Sequence, residues 1–232
     1  MTNQIIIKKK INSFNKKIFV SGDKSISIRW VLFASIASGT SKARNLLISE
    51  DVLAAIEVIK KFGIKVTKRK NFFIVFGKGV DGYKYKKNIV LNAKNSATLG
   101  RLILGLLINS TKTIKLIGDK SLSKRDFKRV ALPLSKFGAK FKLKNNYSLP
   151  LTIKGSKNLS PIRYSETRGS AQCKSSVILG AIRANGTTYI KAKKSRDHTE
   201  KIMENLNLPI QVTKKKNYDL IKIKKIKKIK NL

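Results

Sequence analysis

Residues 24–68 read KSISIRWVLFASIASGTSKARNLLISEDVLAAIEVIKKFGIKVTK, and this stretch predicts the repeating unit of the fold. A small polar cluster precedes an apolar stretch in which Ile28 and Leu32 fall at helical spacing, with Gly39 as the expected C-cap. A short strand and a polar loop follow. A second amphipathic helix then ends at Gly63, before a final strand. The stretch therefore predicts a helix–strand–helix–strand unit.

The same order of elements recurs twice along the chain. Residues 95–142 read NSATLGRLILGLLINSTKTIKLIGDKSLSKRDFKRVALPLSKFGAKFK, and residues 169–214 read GSAQCKSSVILGAIRANGTTYIKAKKSRDHTEKIMENLNLPIQVTK. The period of about 70–75 residues is the size of a repeated supersecondary unit. With one further strand after each copy, the sequence predicts an α/β fold of three helix–strand–helix–strand–strand units with pseudo-threefold symmetry.

The other element predictions follow the same periodicity. In the second unit we expect one helix from Phe127 to Phe137, with Pro133 inside it and Gly138 as its stop. In the third unit, Asn207 takes the C-cap position. The predicted strands are KARNLLI (42–48), IKVTK (64–68), NFFIVFG (71–77), NIVLNA (88–93), TKTIKLIG (111–118), AKFKLK (139–144), LPLTIKG (149–155), TTYIKAK (187–193) and IQVTK (210–214).

The charge of the chain is unusual, whereas its size is ordinary. The 232 residues are enough for one large or two small domains. Lys and Arg number 52 against 12 Asp and Glu, a net charge of +40, and such a surface attracts polyanions. The lysines are scattered through the whole chain among Ile, Asn and Phe, as a coding bias toward A- and T-rich codons would produce. Total charge therefore does not by itself argue for nucleic-acid binding.

Residue counts exclude two classes of small scaffold. Cys173 and His198 are the one cysteine and the one histidine, which excludes a structural zinc site and a disulfide framework. We expect no metal and no cofactor. The N-terminal MTNQIIIKKK has too few consecutive apolar residues for a signal peptide, and no run has the length of a membrane span. We therefore expect a cytoplasmic protein.

The three apolar helices begin at equivalent polar clusters, which are Lys24-Ser25, Asn95-Ser96 and Ser170-Ala171-Gln172. Symmetry aims these helix starts at one side of the domain, and helix N-termini attract anions through their unpaired N–H groups. The alternative is that the clusters are merely N-caps. Caps do not require cations, however, and the clusters are accompanied by several. The sequence therefore favours an anion site, and its accompanying cations are Lys24, Arg29, Arg101, Arg125 and Lys174.

Six motifs in order carry a family resemblance: GDKSISIR, NLLISEDV, GDKSLSKRDFKRVALPLSKFGAK, LPLTIKG, SAQCKSSVILGAI and SRDHTEKIM. Together they resemble the N-terminal half of the 5-enolpyruvylshikimate-3-phosphate synthases, the 3-phosphoshikimate 1-carboxyvinyltransferases. The resemblance runs from about Val20 to about Ile223, and six motifs are far more specific than one short pattern. The SRDHTE version resembles bacterial members of the family.

The resemblance implies a fold and a reaction. The family fold is an enolpyruvyl transferase-like domain, an inside-out α/β barrel. The family enzyme, a transferase of the shikimate pathway, joins the enolpyruvyl group of phosphoenolpyruvate to the 5-hydroxyl of shikimate 3-phosphate and releases phosphate. Its product leads to chorismate and the aromatic amino acids. Both substrates are small polyanions, in agreement with the anion site inferred from the helix starts.

The resemblance also implies roles for individual residues. Lys24 would contact both substrates and take part in proton transfer, tasks that suit a charged amine. A forked guanidinium suits a carboxylate or phosphate, and Arg125 would hold phosphoenolpyruvate. The implied shikimate 3-phosphate residues are Lys24, Ser25, Arg29, Ser170, Ala171, Gln172 and Ser195. The implied phosphoenolpyruvate residues are Lys24, Asn95, Ala97, Arg125 and Gln172.

Several of these residues also have an ordinary structural interpretation. Ser195 alone would be a helix N-cap for RDHTEKIM, Arg125 alone a solvated charge, and His198 a rim residue. Cys173 would be packed core. One departure concerns inhibition: many members have NxGT where this chain has NSAT, so Ala97 replaces a glycine. A methyl group in the phosphoenolpyruvate subsite predicts the glyphosate-insensitive bacterial type.

The chain is half the expected length, because family members carry a second domain of similar size that supplies acid–base carboxylates. We expect residues 1–19 to form a strand segment that belongs to or crosses from that domain, residues 20–223 to form the substrate-binding domain, and residues 224–232 to form a basic tail. The second domain would then be absent here. A fragment, one half of a split enzyme with a separate partner chain, and a degraded copy all remain open. In each case we expect little turnover from the isolated chain.

Two further questions stay open. Residues 224–232 favour a frayed lysine-rich end after a last strand, with a basic amphipathic tail as the alternative. The alternative function is a polyanion- or nucleic-acid-binding protein repurposed from this domain. We do not favour nucleic acid as a partner, because no recognised motif is present and the aromatic residues fall mainly at core-like positions.

Overall fold

The computed structural model describes residues 6, 8–10, 13–15, 17–70 and 72–232. Its elements confirm the predicted α/β architecture of three repeated units. They are, in chain order, α1 (Lys24–Ile36), β1 (Ser38–Arg44), α2 (Glu50–Lys60), β2 (Lys65–Arg69), β3 (Phe72–Lys78), β4 (Ile89–Asn92), α3 (Ala97–Leu107), β5 (Ile114–Ile117), α4 (Lys120–Ser123), α5 (Lys128–Ser135), β6 (Lys140–Lys144), β7 (Ser148–Lys154), β8 (Arg163–Glu166), α6 (Ala171–Ala181), β9 (Thr187–Lys193), α7 (His198–Asn205), β10 (Ile210–Lys214) and β11 (Tyr218–Lys224).

Each repeat contributes one sheet. The first sheet has the order β1–β3–β2, the second β4–β5–β7–β6 and the third β8–β9–β11–β10. In the second and third sheets the first strand is parallel to its neighbour, and the remaining pairs are antiparallel. The second and third sheets therefore share one topology, whereas the first has one strand fewer.

The C-terminal residues occupy the vacant edge of the first sheet. The N–H of Ser38 donates to the carbonyl of Ile229 at 2.8 Å, and the N–H of Lys42 donates to that of Leu232 at 2.8 Å. The pairing of Ser38 with Lys230 is parallel, like the pairing of β4 with β5. Ile226 and Ile229 are buried. The prediction of a frayed end is therefore wrong, because burial recurs at every third residue of this segment while its backbone pairs with β1.

The first helix of each repeat lies in the protein interior. Every residue of α3 is buried, and so are the residues of α6 from Cys173 onward. Gly105 of α3 lies against the backbone of α6: a Cβ built on Gly105 would come within 2.2 Å of the carbonyl oxygen of Ser176. Glycine is thus required for α3 and α6 to pack with their backbones in contact. These helices form the apolar layer on which the sheets pack.

Several predicted boundaries differ from the structure. The strand KARNLLI begins earlier and ends at Arg44, because Asn45 adopts a positive φ of 55° that turns the chain. Gly39 does not cap α1: the helix ends at Ile36, and Gly39 lies in β1. The single helix expected from residue 127 to 137 is the shorter α5, preceded by the separate turn α4. The sequence analysis missed β8.

The predicted N-terminal strand segment, residues 1–19, falls partly outside the described residues, since residues 1–5, 7, 11, 12 and 16 are not among them. Asn71, the first residue of the predicted strand 71–77, lies outside them too. The described positions between 6 and 19 belong to no helix or strand. Among the helices that the structure describes, none combines the length and the apolar composition needed to cross a bilayer.

A substitution at Gly105 tests the close packing of the two helices. We expect Gly105→Ala to lower the free energy of unfolding by about 1–3 kcal/mol, because its methyl group meets backbone that cannot move aside. Gly100→Ala is the matched control: its methyl group would meet the Phe127 ring at 3.2 Å, and alanine favours the helix by about 1 kcal/mol. Urea denaturation followed by circular dichroism measures both. A Gly105→Ala protein as stable as Gly100→Ala would contradict the packing argument.

Candidate anion-binding site at three helix N-termini

Each of the three interior helices has a side-chain N-cap. Asp23 caps α1 by accepting the N–H of Ile26 at 2.7 Å. Ser96 caps α3 and Ser170 caps α6, each through its hydroxyl oxygen at 3.3 Å. The alternative of a serine cap on α1 is therefore wrong, because Asp23 takes that place. Lys24 and Ser25 lie in the first turn of the helix, and neither side chain serves as its N-cap.

One cavity of about 530 Å³ lies where these helix starts meet. Seven predicted shikimate 3-phosphate residues line this cavity together, although they come from three separate parts of the chain. Helix N-terminal N–H groups and three cationic side chains make the cavity suited to an anion. The lining residues are Lys24, Ser25, Arg29, Thr98, Gly169, Ser170, Ala171, Gln172, Ser195, Arg196 and His198.

Three predicted residues are not among those that line the cavity. Asn95 is exposed and donates from its side-chain amide to Asp119. Ala97 is the buried first residue of α3, next to the lining residue Thr98. Arg125 is exposed in the turn that follows α4. The structure thus places the phosphoenolpyruvate candidates at the start of α3 and in the turn after α4, outside the lining of the cavity.

Gln172 connects the cavity to this neighbouring region. Its side-chain carbonyl accepts from the guanidinium of Arg101, and its amide donates to the hydroxyl of Thr98 at 2.9 Å. A second nitrogen of Arg101 donates to the backbone carbonyl of Asp126 at 3.1 Å, one residue after Arg125. Burial lowers the pKa of Arg101, which nevertheless remains charged near neutral pH. The orientation of Gln172 is therefore fixed by two partners.

Arg29 is buried beneath the cavity and holds three helices together. Its Nε donates to the Thr199 hydroxyl at 2.7 Å, and its other nitrogens donate to Ser175 and to the carbonyl of Ser25. Burial lowers the pKa of Arg29 to about 10, and the charge of Glu200 opposes that shift. Arg29 therefore stays protonated at neutral pH. These three hydrogen bonds use three of the five N–H donors of the guanidinium and fix its position beside the cavity.

A buried ion pair lies beside this arginine. The Lys174 ammonium is 2.7 Å from a carboxylate oxygen of Glu200, with side chains 0% and 3% exposed. The two residues adjoin Ser175 and Thr199, the partners of Arg29. Arg29, Lys174 and Glu200 together carry a net charge of +1. This buried positive charge favours a negatively charged occupant of the cavity above it.

The mouth of the cavity has both an accessible charge and unpaired polar atoms. Lys24 is half exposed, and its ammonium lies 3.2 Å from the Asp51 carboxylate of α2. A partly exposed ion pair of this kind is weak enough to be replaced by a contact with a ligand. Ser195 is not the N-cap of α7, which is Asp197. The buried Ser195 hydroxyl and His198 Nδ1 find no hydrogen-bond partner within the described part of the chain. Burial, with the neighbouring Arg29, lowers the pKa of His198, so its imidazole is neutral at pH 7.

The sequence analysis missed some lining residues. Arg196 and His198 lie in the motif SRDHTE but were assigned no binding role, although Arg196 directly follows Ser195. Thr98 is the third residue after Asn95 in NSAT, so the start of α3 reaches the cavity through Thr98. Cys173 is buried, as predicted, and burial raises the pKa of its thiol. Arg196 could have been found from the sequence, because it lies in the family motif SRDHTEKIM directly after Ser195.

Comparison with known proteins gives consistent findings. The family model of EPSP synthase (3-phosphoshikimate 1-carboxyvinyltransferase) matches residues 8–230. The chain is 41% identical over 196 residues to the 3-phosphoshikimate 1-carboxyvinyltransferase of Streptococcus suis, covering 84% of this chain and 46% of that protein. It is 42% identical over 195 residues to the 3-phosphoshikimate 1-carboxyvinyltransferase of Petrotoga mobilis, covering 83% of this chain and 45% of that protein. The solved EPSP synthase of Acinetobacter baumannii superposes with a TM-score of 0.85 at 32% identity, covering 93% of this chain and 48% of that one. The chain therefore spans about half the length of the curated relatives it matches.

The buried ion pair gives a direct stability test. Glu200→Gln leaves the Lys174 ammonium without its counter-ion, and we expect the free energy of unfolding to fall by about 3–5 kcal/mol. Glu57→Gln, which breaks an exposed pair with Lys60, is the control and should cost less than about 1 kcal/mol. Urea denaturation at pH 7 measures both. Equal losses for the two variants would show that the buried pair has no special role.

Proposed function

Because the chain belongs to the EPSP synthase (3-phosphoshikimate 1-carboxyvinyltransferase) family, as its motifs indicated, we propose that its cavity binds shikimate 3-phosphate. The observation that carries this proposal is the meeting of all seven predicted shikimate 3-phosphate residues in one cavity. Its volume of about 530 Å³ suits a small molecule, and its cations suit a phosphate monoester and a carboxylate.

The side chains divide naturally between the two ends of such a ligand. The Ser170 hydroxyl, the Ser195 hydroxyl and the Gln172 amide are short donors near the start of α6, where a phosphate gains from the helix N-terminus. Arg196 is an exposed cation on the same wall and adds a forked donor for the phosphate. Lys24, at the start of α1, would contact a ring hydroxyl or the carboxylate once it leaves Asp51.

We propose the adjoining region as the phosphoenolpyruvate subsite. Asn95, Ala97 and Arg125 belong to it, and Lys24 and Gln172, which line the cavity, would serve both subsites. Arg101 supports this arrangement, because its guanidinium contacts both Gln172 and the backbone carbonyl of Asp126. A ligand that moves Gln172 would therefore also move the turn that carries Arg125.

The proposed reaction transfers the enolpyruvyl group of phosphoenolpyruvate to the 5-hydroxyl of shikimate 3-phosphate. The hydroxyl oxygen bonds to C2 of the enol while C3 takes up a proton, and the hydroxyl proton passes to a base. C3 then loses a proton as the C2–O bond to phosphate breaks, which restores the enol and releases phosphate. Lys24 is the candidate for proton transfer among the described cavity residues, since its side chain is half exposed and lines the cavity.

We propose that the remaining acid–base groups come from a second domain of the family, in the same protein or in a separate chain. Relatives are about twice as long as this chain. The exposed apolar residues Ile18, Phe19 and Val20, just before α1, would suit burial against such a domain. In this scheme residues 20–223 form the substrate-binding domain, and the protein works in the cytoplasm in aromatic amino-acid biosynthesis.

Titration with shikimate 3-phosphate tests the proposal. We expect Lys24→Ala and Ser170→Ala to weaken binding by about 10- to 100-fold for the lysine and less for the serine, because hydrogen bonds to charged groups contribute most. Lys60→Ala, at an exposed lysine of α2 outside the cavity, is the control. Isothermal titration calorimetry at 150 mM salt measures the dissociation constants. Absence of binding by the unmodified chain, or an equal loss in Lys60→Ala, would refute the site.

Ala97 leads to a second prediction, that the site belongs to the glyphosate-insensitive type. The methyl group of Ala97 lies at the start of α3, where the longer inhibitor needs room beyond phosphoenolpyruvate. With saturating shikimate 3-phosphate, we expect Ala97→Gly to bind glyphosate at least about tenfold more tightly than the unmodified chain, with unchanged affinity for shikimate 3-phosphate. Calorimetry measures both. Tight glyphosate binding that Ala97→Gly does not improve would contradict this prediction.

A further inference from the structure

The outward face of the third sheet shares no residue with the candidate site. Alternation along β9 buries Thr188, Ile190 and Ala192, which leaves Tyr189 and Lys191 pointing outward. On β11, Asp219, Ile221 and Ile223 are buried, and the residues between them point outward. These side chains line a shallow depression of about 570 Å³ across the sheet.

The charged side chains on the outward face of this sheet are all cationic. Glu166 and Asp219, the acids of these strands, face inward and are 3% and 6% exposed. Along β8 to β11, all of which the structure describes, no outward residue is therefore acidic. A surface of this kind attracts phosphate groups. Its cations are Arg163, Lys191, Lys193, Lys222 and Lys224.

Two tyrosine rings lie among these cations. The register places Tyr189 between Arg163 and Lys222 in one row across the sheet. The Arg163 guanidinium is 4.8 Å from the centre of the Tyr189 ring, and the Lys191 ammonium is 4.5 Å from that of Tyr218. Tyr189 is 40% exposed. Aromatic rings and an arginine plane are surfaces on which nucleobases stack. We call these five residues, Arg163, Tyr189, Lys191, Tyr218 and Lys222, the tyrosine face.

The second sheet shows that charge alone does not create this arrangement. Its outward strand positions also carry several exposed lysines, among them Lys115, Lys140 and Lys142. The described strands of that sheet have no outward aromatic residue. The two sheets thus offer similar charge, and the third adds rings and a depression. This contrast provides an internal control for the role of the tyrosines.

We propose that the tyrosine face binds single-stranded nucleic acid, with bases stacked on Tyr189 and Tyr218 and phosphates held by the surrounding cations. The ligand is a second one, independent of the proposed small-molecule site. Core-like positions were expected for the aromatic residues, but these two tyrosines lie at the surface. The outward side of the third sheet suits nucleic acid better than a membrane. Along its described strands, Leu220 is the one large aliphatic residue that is exposed.

Fluorescence anisotropy with a labelled 15-nucleotide uridine RNA and the matching deoxythymidine strand tests the proposal between 50 and 300 mM salt. We expect Tyr189→Ala with Tyr218→Ala to weaken binding at least about tenfold with an unchanged salt slope, since stacking is lost and charge is kept. Tyr189→Phe with Tyr218→Phe should bind like the unmodified chain. Lys191→Ala with Lys222→Ala should lower the salt slope by about 1.4.

Three controls distinguish binding at the tyrosine face from binding elsewhere on the protein. Lys140→Ala with Lys142→Ala, on the second sheet, should leave the affinity nearly unchanged. Lys24→Ala and added shikimate 3-phosphate should also have no effect, so failure of the cavity proposal leaves this one standing. The proposal is wrong if the double tyrosine-to-alanine variant keeps the affinity of the unmodified chain, or if the second-sheet lysine variant loses as much affinity. It is also wrong if shikimate 3-phosphate competes with the oligonucleotides. A chain that binds phosphatidylserine vesicles but neither oligonucleotide would contradict it as well. Circular dichroism verifies that each variant is folded.

Discussion

The close contact between α3 and α6 is the constraint on which the site depends. Gly105 lets the two helices meet backbone to backbone, and the Ser176 hydroxyl of α6 then donates to the carbonyl of Arg101 at 2.8 Å. At this spacing the first turns of both helices come within hydrogen-bond reach, so that Gln172 contacts Thr98. A larger side chain at residue 105 would push α3 and α6 apart and so separate the walls of the cavity, without itself contacting a ligand.

Electrostatic interactions give the cavity its preference for anions. The charge of Arg29 is held by hydroxyls and a carbonyl, all of which are neutral, and the nearby Lys174 is balanced by Glu200. One positive charge thus stays uncompensated in a poorly solvated layer below the cavity floor. A fixed charge in such a place attracts an anion without having to reorganise. In the proposed site the two roles are separate: buried charges set the potential, and accessible groups such as Lys24 and Ser170 would make the contacts.

The repeats and the interior helices could be predicted because their apolar residues recur at helical spacing over three copies. The residues that line the cavity could be grouped because the family motifs assign them to one ligand, and the starts of α1 and α6 agree with that assignment for Lys24 and Ser170. The β8 sequence RYSE has no alternating apolar pattern, and α4 is a single turn, so neither was predicted. The partners of Arg29 lie 146 and 170 residues away, and local patterns cannot reveal such contacts. Nor could sequence separate the two outward tyrosines from core aromatics, since that depends on strand register.

The pairing of the last residues with β1 has a consequence for synthesis on the ribosome. The Leu232 N–H donates to the Ser41 hydroxyl across 191 residues of sequence, so the first repeat to emerge is the last to be completed. Until then β1 keeps an open edge of unpaired N–H and C=O groups, the kind that pairs with foreign strands. A nascent chain would therefore expose this edge throughout the synthesis of the second and third repeats.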